Sequence, residues 1–158
     1  KLNASGGGVW QNVYGGDSTE TMTRNSIVEL SDGSFVIGCS SISGISGNKT
    51  DTSRGWKDYW VFKIDANGNM IWDKTFGGSE SDDLYTICKD SSDNIYLAGH
   101  TSSPISGDKT IANFGFQNLW LVKINSTNGS EIWQQIYGGD LIDEYPSIVE
   151  SEGNIYLS

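Results

Sequence analysis

The chain has 158 residues, 20 acidic and 10 basic side chains, and a formal charge of −10. That length suits one domain with its own core; the acid excess argues against nucleic acid, whose phosphates it would repel; no apolar run approaches the roughly 20 residues of a spanning helix. With 20 Gly, two Pro and many Ser, Asn, Thr and aromatic residues, the composition favours strands over long helices, and two cysteines exclude a multiply stapled mini-protein while leaving one bridge or two free thiols open.

In chain order, Lys1 leads into a polar, glycine-rich stretch without the pattern of a signal peptide, so a mature or trimmed chain is expected. Residues 9–16 read as a lone outer strand. A strand a follows near 26–30, and Ser31-Asp32-Gly33 turns it into a strand b over 34–40. A long loop, 41–57, precedes a strand c at 59–64, and Asp65-Ala66-Asn67-Gly68 turns this into a strand d at 70–76. Asp-Gly and Asn-Gly supply the positive φ that tight hairpins need. The same order then recurs, with a second long loop at 101–117, and residues 145–158 stop inside another strand b.

The recurrence is the main signal. Trp10, Trp72 and Trp133 each open one phrase: WQNVYGG over 10–16, WDKTFGG over 72–78 and WQQIYGG over 133–139. A glycine stands four places before each tryptophan, at Gly6, Gly68 and Gly129. GWKDYWVFKID over 55–65 matches GFQNLWLVKIN over 115–125, and FVIG at 35–38, IYLAG at 95–99 and IYL at 155–157 also correspond. The strands c are almost continuously apolar, which is how a strand reads when both its faces are covered. Four antiparallel strands per ~61 residues, sandwiched between copies of themselves, describe the blade of a β-propeller. A β-solenoid also repeats strands, but its rungs are much shorter and need no three tight antiparallel turns. The expectation is therefore an all-β, single-domain propeller fragment: 9–16 as an outer strand, 17–78 and 79–139 as blades, 140–158 as an incomplete blade. Because propellers close at about four to eight blades, the chain is expected to be part of a longer protein.

The succession of Phe/Tyr-Gly-Gly, an acidic loop, IYLAGHTSS over 95–103 and LWLVKI over 119–124 resembles the β-propeller repeats of secreted Bacteroidetes-type proteins, over nearly the whole chain. The resemblance implies an exported, surface-attached or released protein. The Gly-x-x-x-Trp element also resembles the tryptophan-docking motif of quinoprotein propellers; it implies the packing architecture and not the quinone, whose binding residues are not recognisable.

If strand a leaves one face, the b–c and d–a loops share that face and the short hairpins share the opposite one. Any function is expected on the face of the long loops, held by a rigid scaffold. Three sets of residues there invite assignment. Trp56 and Phe116 occupy equivalent loop ends, with Phe114 nearby; they could stack on sugar rings or anchor a protein, or be the first core residues of strand c, the placement that residue type favours. His100 is the only histidine, so no histidine-rich metal site can form; a hydrogen-bonded residue at a strand end is expected, with a ligand contact as the alternative. Glu20, Asp82 and Asp143 recur once per repeat and could bind Ca²⁺ near a channel mouth, although repetition favours capping of their own turns. Trp60, Trp72, Trp120 and Trp133 are expected to pack between blades.

No Ser/His/Asp or Cys/His set is credible with one histidine, and the polar groups of the loop face mostly repeat, whereas a catalytic site should break the symmetry. The expected function is a non-catalytic, extracellular or cell-surface module, with no resident cofactor, that binds a protein or glycan surface or spaces other domains. The alternative is part of a propeller enzyme, polysaccharide-cleaving or quinone-dependent, completed by further blades.

Overall fold

In the computed structural model, which describes residues 1–141 and 146–158, strands alternate with turns rich in Gly, Asp and Asn. The first sheet comprises β1 (Glu20–Thr21), β2 (Ile27–Glu29), β3 (Phe35–Ser41), β4 (Asp58–Ile64) and β5 (Met70–Phe76). The second comprises β6 (Asp82–Lys89), β7 (Ile95–Thr101), β8 (Asn118–Ile124) and β9 (Glu131–Tyr137). A hairpin of β10 (Ile148–Ser151) and β11 (Asn154–Leu157) follows. All pairings between these strands are antiparallel. The second sheet runs in the order β6-β7-β8-β9, and in the first both β1 and β2 pair with β3, as two halves of one strand. Between those halves Asn25 adopts a φ of 51°. The second sheet keeps the corresponding strand whole and absorbs the irregularity as a shift between Leu84 and Thr86.

The third strand of each sheet lies in the middle of the packing. All seven residues of β4 are buried, and Trp60 and Trp120 are fully enclosed. One hydrophobic cluster joins Tyr59 and Val61 of β4 to Leu84, Ile87, Leu97, Trp120 and Val122 of the second sheet. The Tyr59 ring lies 5.0 Å from that of Trp120, and its hydroxyl donates to the Trp120 carbonyl at 3.2 Å. Burial supplies the driving force, and the buried phenol keeps a hydrogen-bond partner. The sheets therefore pack face to face with interdigitating side chains.

Tryptophans at the sheet margins dock onto neighbouring hairpins. The Trp72 indole donates to the Ser126 carbonyl at 3.2 Å, and its ring lies where a Cβ on Gly129 would come within 3.0 Å. Gly129 also has a φ of 72°, so both turn and approach require glycine. Trp10 repeats the arrangement on the Ala66 carbonyl and Gly68. The glycine that each tryptophan touches thus belongs to the following repeat, not to its own hairpin. Trp72 and Trp133 are half-buried, less enclosed than Trp60 and Trp120. Residues 9–16 do not form the expected strand: they carry no strand ladder, and Trp10 and Tyr14 hold them to the first sheet through side-chain bonds to Ala66 and Gly68.

Both cysteines are free. Cys39 packs in a cluster of the first sheet, while Cys88 packs beside Tyr96 and Trp133 on the outer face of the second. Burial pushes the Cys39 thiol up to about 12 and the Cys88 thiol to about 11, so neither is a nucleophile at neutral pH.

Candidate functional site

The turn geometry puts the loops 41–57, 77–81 and 101–117 at one end of the two sheets. The long loops are built alike. ISGNKT over 45–50 and ISGDKT over 105–110 each close a small bridge, Ser46 with Lys49 and Ser106 with Lys109. Both lysines point inward and are 1% exposed. The Lys49 ammonium donates to the Asp51 carbonyl and to Thr75 Oγ1 at 2.7 Å, while that of Lys109 donates to the Ile111 carbonyl. Burial lowers the pKa of both lysines. These loops are therefore anchored from within, which the repeated lysine could have signalled in the sequence.

Asp58 and Asn118 fix how each loop enters its central strand. The Asp58 carboxylate accepts the amides of Arg54 at 2.8 Å and Gly55 at 3.4 Å; Asn118 Oδ1 accepts those of Phe114 at 2.8 Å and Gly115 at 3.2 Å. These bonds curl the chain just before the strand and turn the next side chain outward. Trp56, Phe114 and Phe116 are accordingly 75%, 62% and 84% exposed. The placement in the core favoured by residue type is overturned: the core positions are held by Tyr59, Trp60 and Trp120, and the capped turn leaves residues 56 and 116 on the surface.

The expected acidic set divides. Glu20 accepts the hydroxyls of Ser41 at 3.0 Å and Ser43 at 2.6 Å. Asp82 accepts the Gly78 amide at 2.7 Å and the Ser103 hydroxyl at 2.9 Å. Each carboxylate organises its own loop, and Asp82 is the first residue of β6, not part of a loop. Asp143 lies outside the described residues. Beside Asp82, Asp58 is also fully buried, and in each the Oδ1 atom has no hydrogen-bond partner. Burial, reinforced by the charge of Asp82, pushes the Asp58 carboxyl up to about 6. Arg54 ties this region across the sheets, its Nε 2.9 Å from Asp108 and its Nη1 3.1 Å from Asp51.

His100, near the end of β7, is 5% exposed and stands behind the surface. Its Nε2 lies 3.3 Å from Asp83 Oδ2, its ring packs against Tyr85 at 5.1 Å, and its Nδ1 has no partner. Asp83 Oδ1 pairs with the Lys57 ammonium. Burial pushes the Asp83 carboxyl up, but the hydrogen bonds from His100 and Lys57 outweigh it and hold it below the usual carboxylate range. A cavity of about 420 Å³ opens here between the sheets, lined by Thr19, Thr21, Trp56, Lys57, Ser81 and Asp83 among others. A second, of about 880 Å³, adjoins Phe116, Ile105, Asn113 and Asp140. Trp56 and Phe116 thus each border a cavity, whereas His100 supports one from behind. Phe114 stands exposed on the same loop as Phe116. Lys57 went unmarked in the sequence, where a single lysine beside an aromatic residue carries no pattern.

No protein-family model matches the chain, and no curated protein matches it in sequence.

Proposed function

We propose that the chain forms consecutive blades of a secreted or cell-surface β-propeller and serves as a non-catalytic binding module for a protein or glycan surface. The observation that carries this is the outward placement of Trp56, Phe114 and Phe116 at 75%, 62% and 84% exposure, on loops anchored by buried lysines and capped turns. Exposed large aromatics on a rigid support are the residues that give recognition surfaces their contact area. The propeller itself is supported by two features: antiparallel sheets packed face to face, and tryptophans that dock one repeat onto the next. Further sheets, from a longer chain or a neighbouring one, would complete the ring and cover Trp133. The net charge of −10 disfavours polyanionic partners.

The test is binding of the chain and of a Trp56→Ser/Phe114→Ser/Phe116→Ser variant to arrays of glycans and of extracellular proteins. Specific binding by the parent chain that the variant loses, with its melting temperature unchanged, is the expected result. Binding that survives the triple substitution, or the absence of any specific binding, would overturn the assignment to the loop face.

A further inference from the structure

The cavity beside Trp56 differs chemically from its counterpart beside Phe116. At its base Lys57 and Asp83 form an ion pair whose side chains are 27% and 19% exposed, so both can reach a ligand. Asp83 is held from behind by His100 Nε2 at 3.3 Å. The backbone is fixed as well: the Trp56 amide donates to the Glu80 carbonyl at 3.2 Å and the Asp82 amide to the Lys57 carbonyl at 2.6 Å. In the second repeat Gln117 stands where Lys57 does and reaches the Ser102 hydroxyl at 3.4 Å. Gln117 carries no charge, so no such ion pair can form at its position.

We propose, building on the binding-module assignment, that this cavity is a subsite for one unit of a neutral saccharide, stacked on Trp56 with its hydroxyls bridging Lys57 and Asp83. Charge selects the ligand class. The ion pair is internally neutralised, so a cation entering the cavity meets the Lys57 ammonium and an anion meets Asp83 within a chain of charge −10. A wholly apolar ligand would strip water from both charges and return no hydrogen bonds. A sugar supplies donors and acceptors together: its hydroxyls donate to the free lone pairs of Asp83 and accept from the remaining protons of Lys57. Thr19, Thr21 and Ser81 add hydroxyls along the wall. The indole face suits the C–H face of a pyranose, with the polar edge left to the ion pair. The volume of about 420 Å³ lies in the range of roughly 300–1,000 Å³ usual for small-molecule sites.

The experiment titrates the chain with the methyl pyranosides of glucose, galactose, mannose and xylose and with their neutral tetrasaccharides, read by tryptophan fluorescence and by the Trp56 indole resonance. At least one probe should give saturable binding. Trp56→Ala should weaken it by at least about tenfold, and Asp83→Asn or Lys57→Gln by about tenfold, the scale of one charge-assisted hydrogen bond. Ile132→Ala, at an exposed position of β9 outside the loop face, should leave it unchanged. Trp56 is exposed, so its variant should keep the parent melting temperature; Lys57→Gln gives a second readout if Asp83→Asn fails to fold. Binding lost with Phe116→Ala but kept with Trp56→Ala would overturn the subsite while leaving the loop face as the binding surface. No binding by any probe, or preference for a lysine-rich peptide or a sulfated oligosaccharide at Trp56, would overturn it as well.

Discussion

In the first sheet Asp73 accepts the Trp60 indole proton at 3.0 Å and the Thr50 amide at 2.9 Å; in the second, Gln134 accepts the Trp120 indole at 3.2 Å and the Thr110 amide at 3.0 Å. Asp58 and Asn118 divide in the same way, each capping two amides of its loop, but Asn118 has an Nδ2 that also donates to the Gly139 carbonyl at 2.8 Å. Asp58 has only an unpartnered oxygen at the equivalent atom, pressed against Gly77 so closely that no Cβ would fit there. One backbone plan thus tolerates a carboxylate or an amide at two inner positions. The repeat conserves acceptors where the fold needs them and leaves the charge free to vary. The first sheet is the charged version, with Lys49, Asp51, Arg54, Asp58 and Asp73 around one loop.

The two sheets should nevertheless depend equally on their central tryptophans. Trp60→Ala and Trp120→Ala each empty a fully enclosed site, and each should destabilise by about 3–5 kcal/mol in chemical denaturation. Trp72→Ala should be milder, about 2 kcal/mol, because its half-buried indole loses one hydrogen bond and partial burial. If Trp72→Ala proved the most damaging of the three, docking between repeats rather than the sheet core would dominate stability.

Asp58 should give the first sheet a response to pH that Asn118, at the equivalent position, cannot give the second. The folded pKa of Asp58, about 6, lies above its ordinary 3.8. Protonation therefore favours the folded state: this stability is fully present below about pH 4 and is lost as pH rises through 6. A carboxyl raised that far is worth about 3 kcal/mol between the two ends of the window. Asp58→Asn copies Asn118, so it should raise stability at pH 8 by up to about 3 kcal/mol and flatten the profile between pH 4 and 7. Asp93, held at about 2 by bonds from Lys89 and Ser31, acts oppositely, and its contribution is lost as pH falls from about 4 toward 2. An Asp58→Asn variant with an unchanged pH profile would show that the buried oxygen carries no proton.

The acceptor at the neutral position offers a smaller effect. Gln134→Leu leaves the Trp120 indole and the Thr110 amide without an acceptor, and should cost about 1–3 kcal/mol. Gln134→Asp should restore most of it by imitating Asp73. Failure of that rescue would mean that the two sheets are less interchangeable than their shared geometry implies.

The skeleton was legible in the sequence because its signals are local. The strands expected at 59–64 and 70–76 correspond to β4 at Asp58–Ile64 and β5 at Met70–Phe76, since an unbroken apolar run and an Asn-Gly turn mark them. The first strand of each sheet was legible only in part. It was expected near 26–30, but β1 starts at Glu20 and β6 at Asp82, because two acidic residues at a strand start read as loop until their hydroxyl and amide partners are known. The site was less legible still. Whether Trp56 faces the core or solvent depends on the Asp58 cap, and the Lys57–Asp83 pair joins residues from different sheets, a relation no spacing encodes.

The smallest effect concerns those exposed aromatics, and its smallness is the point. Trp56→Ser and Phe116→Ser remove large apolar side chains, yet they take little from the core, since the loop backbone is held by Asp58 and Asn118 whatever stands at 56 and 116. Each should change folding stability by no more than about 0.5 kcal/mol, as for surface positions away from caps and cavities. Asn118→Ala on the same loop should cost more, about 1–2 kcal/mol, through loss of the bonds to Phe114, Gly115 and Gly139. Thermal denaturation of the three variants side by side measures the contrast. A large aromatic that can be deleted without loss of stability, beside a small amide that cannot, separates the residues that build the loop from those it presents. If Trp56→Ser instead destabilised the chain as much as Asn118→Ala, the indole would be part of the scaffold and the exposed face would lose its claim to recognition.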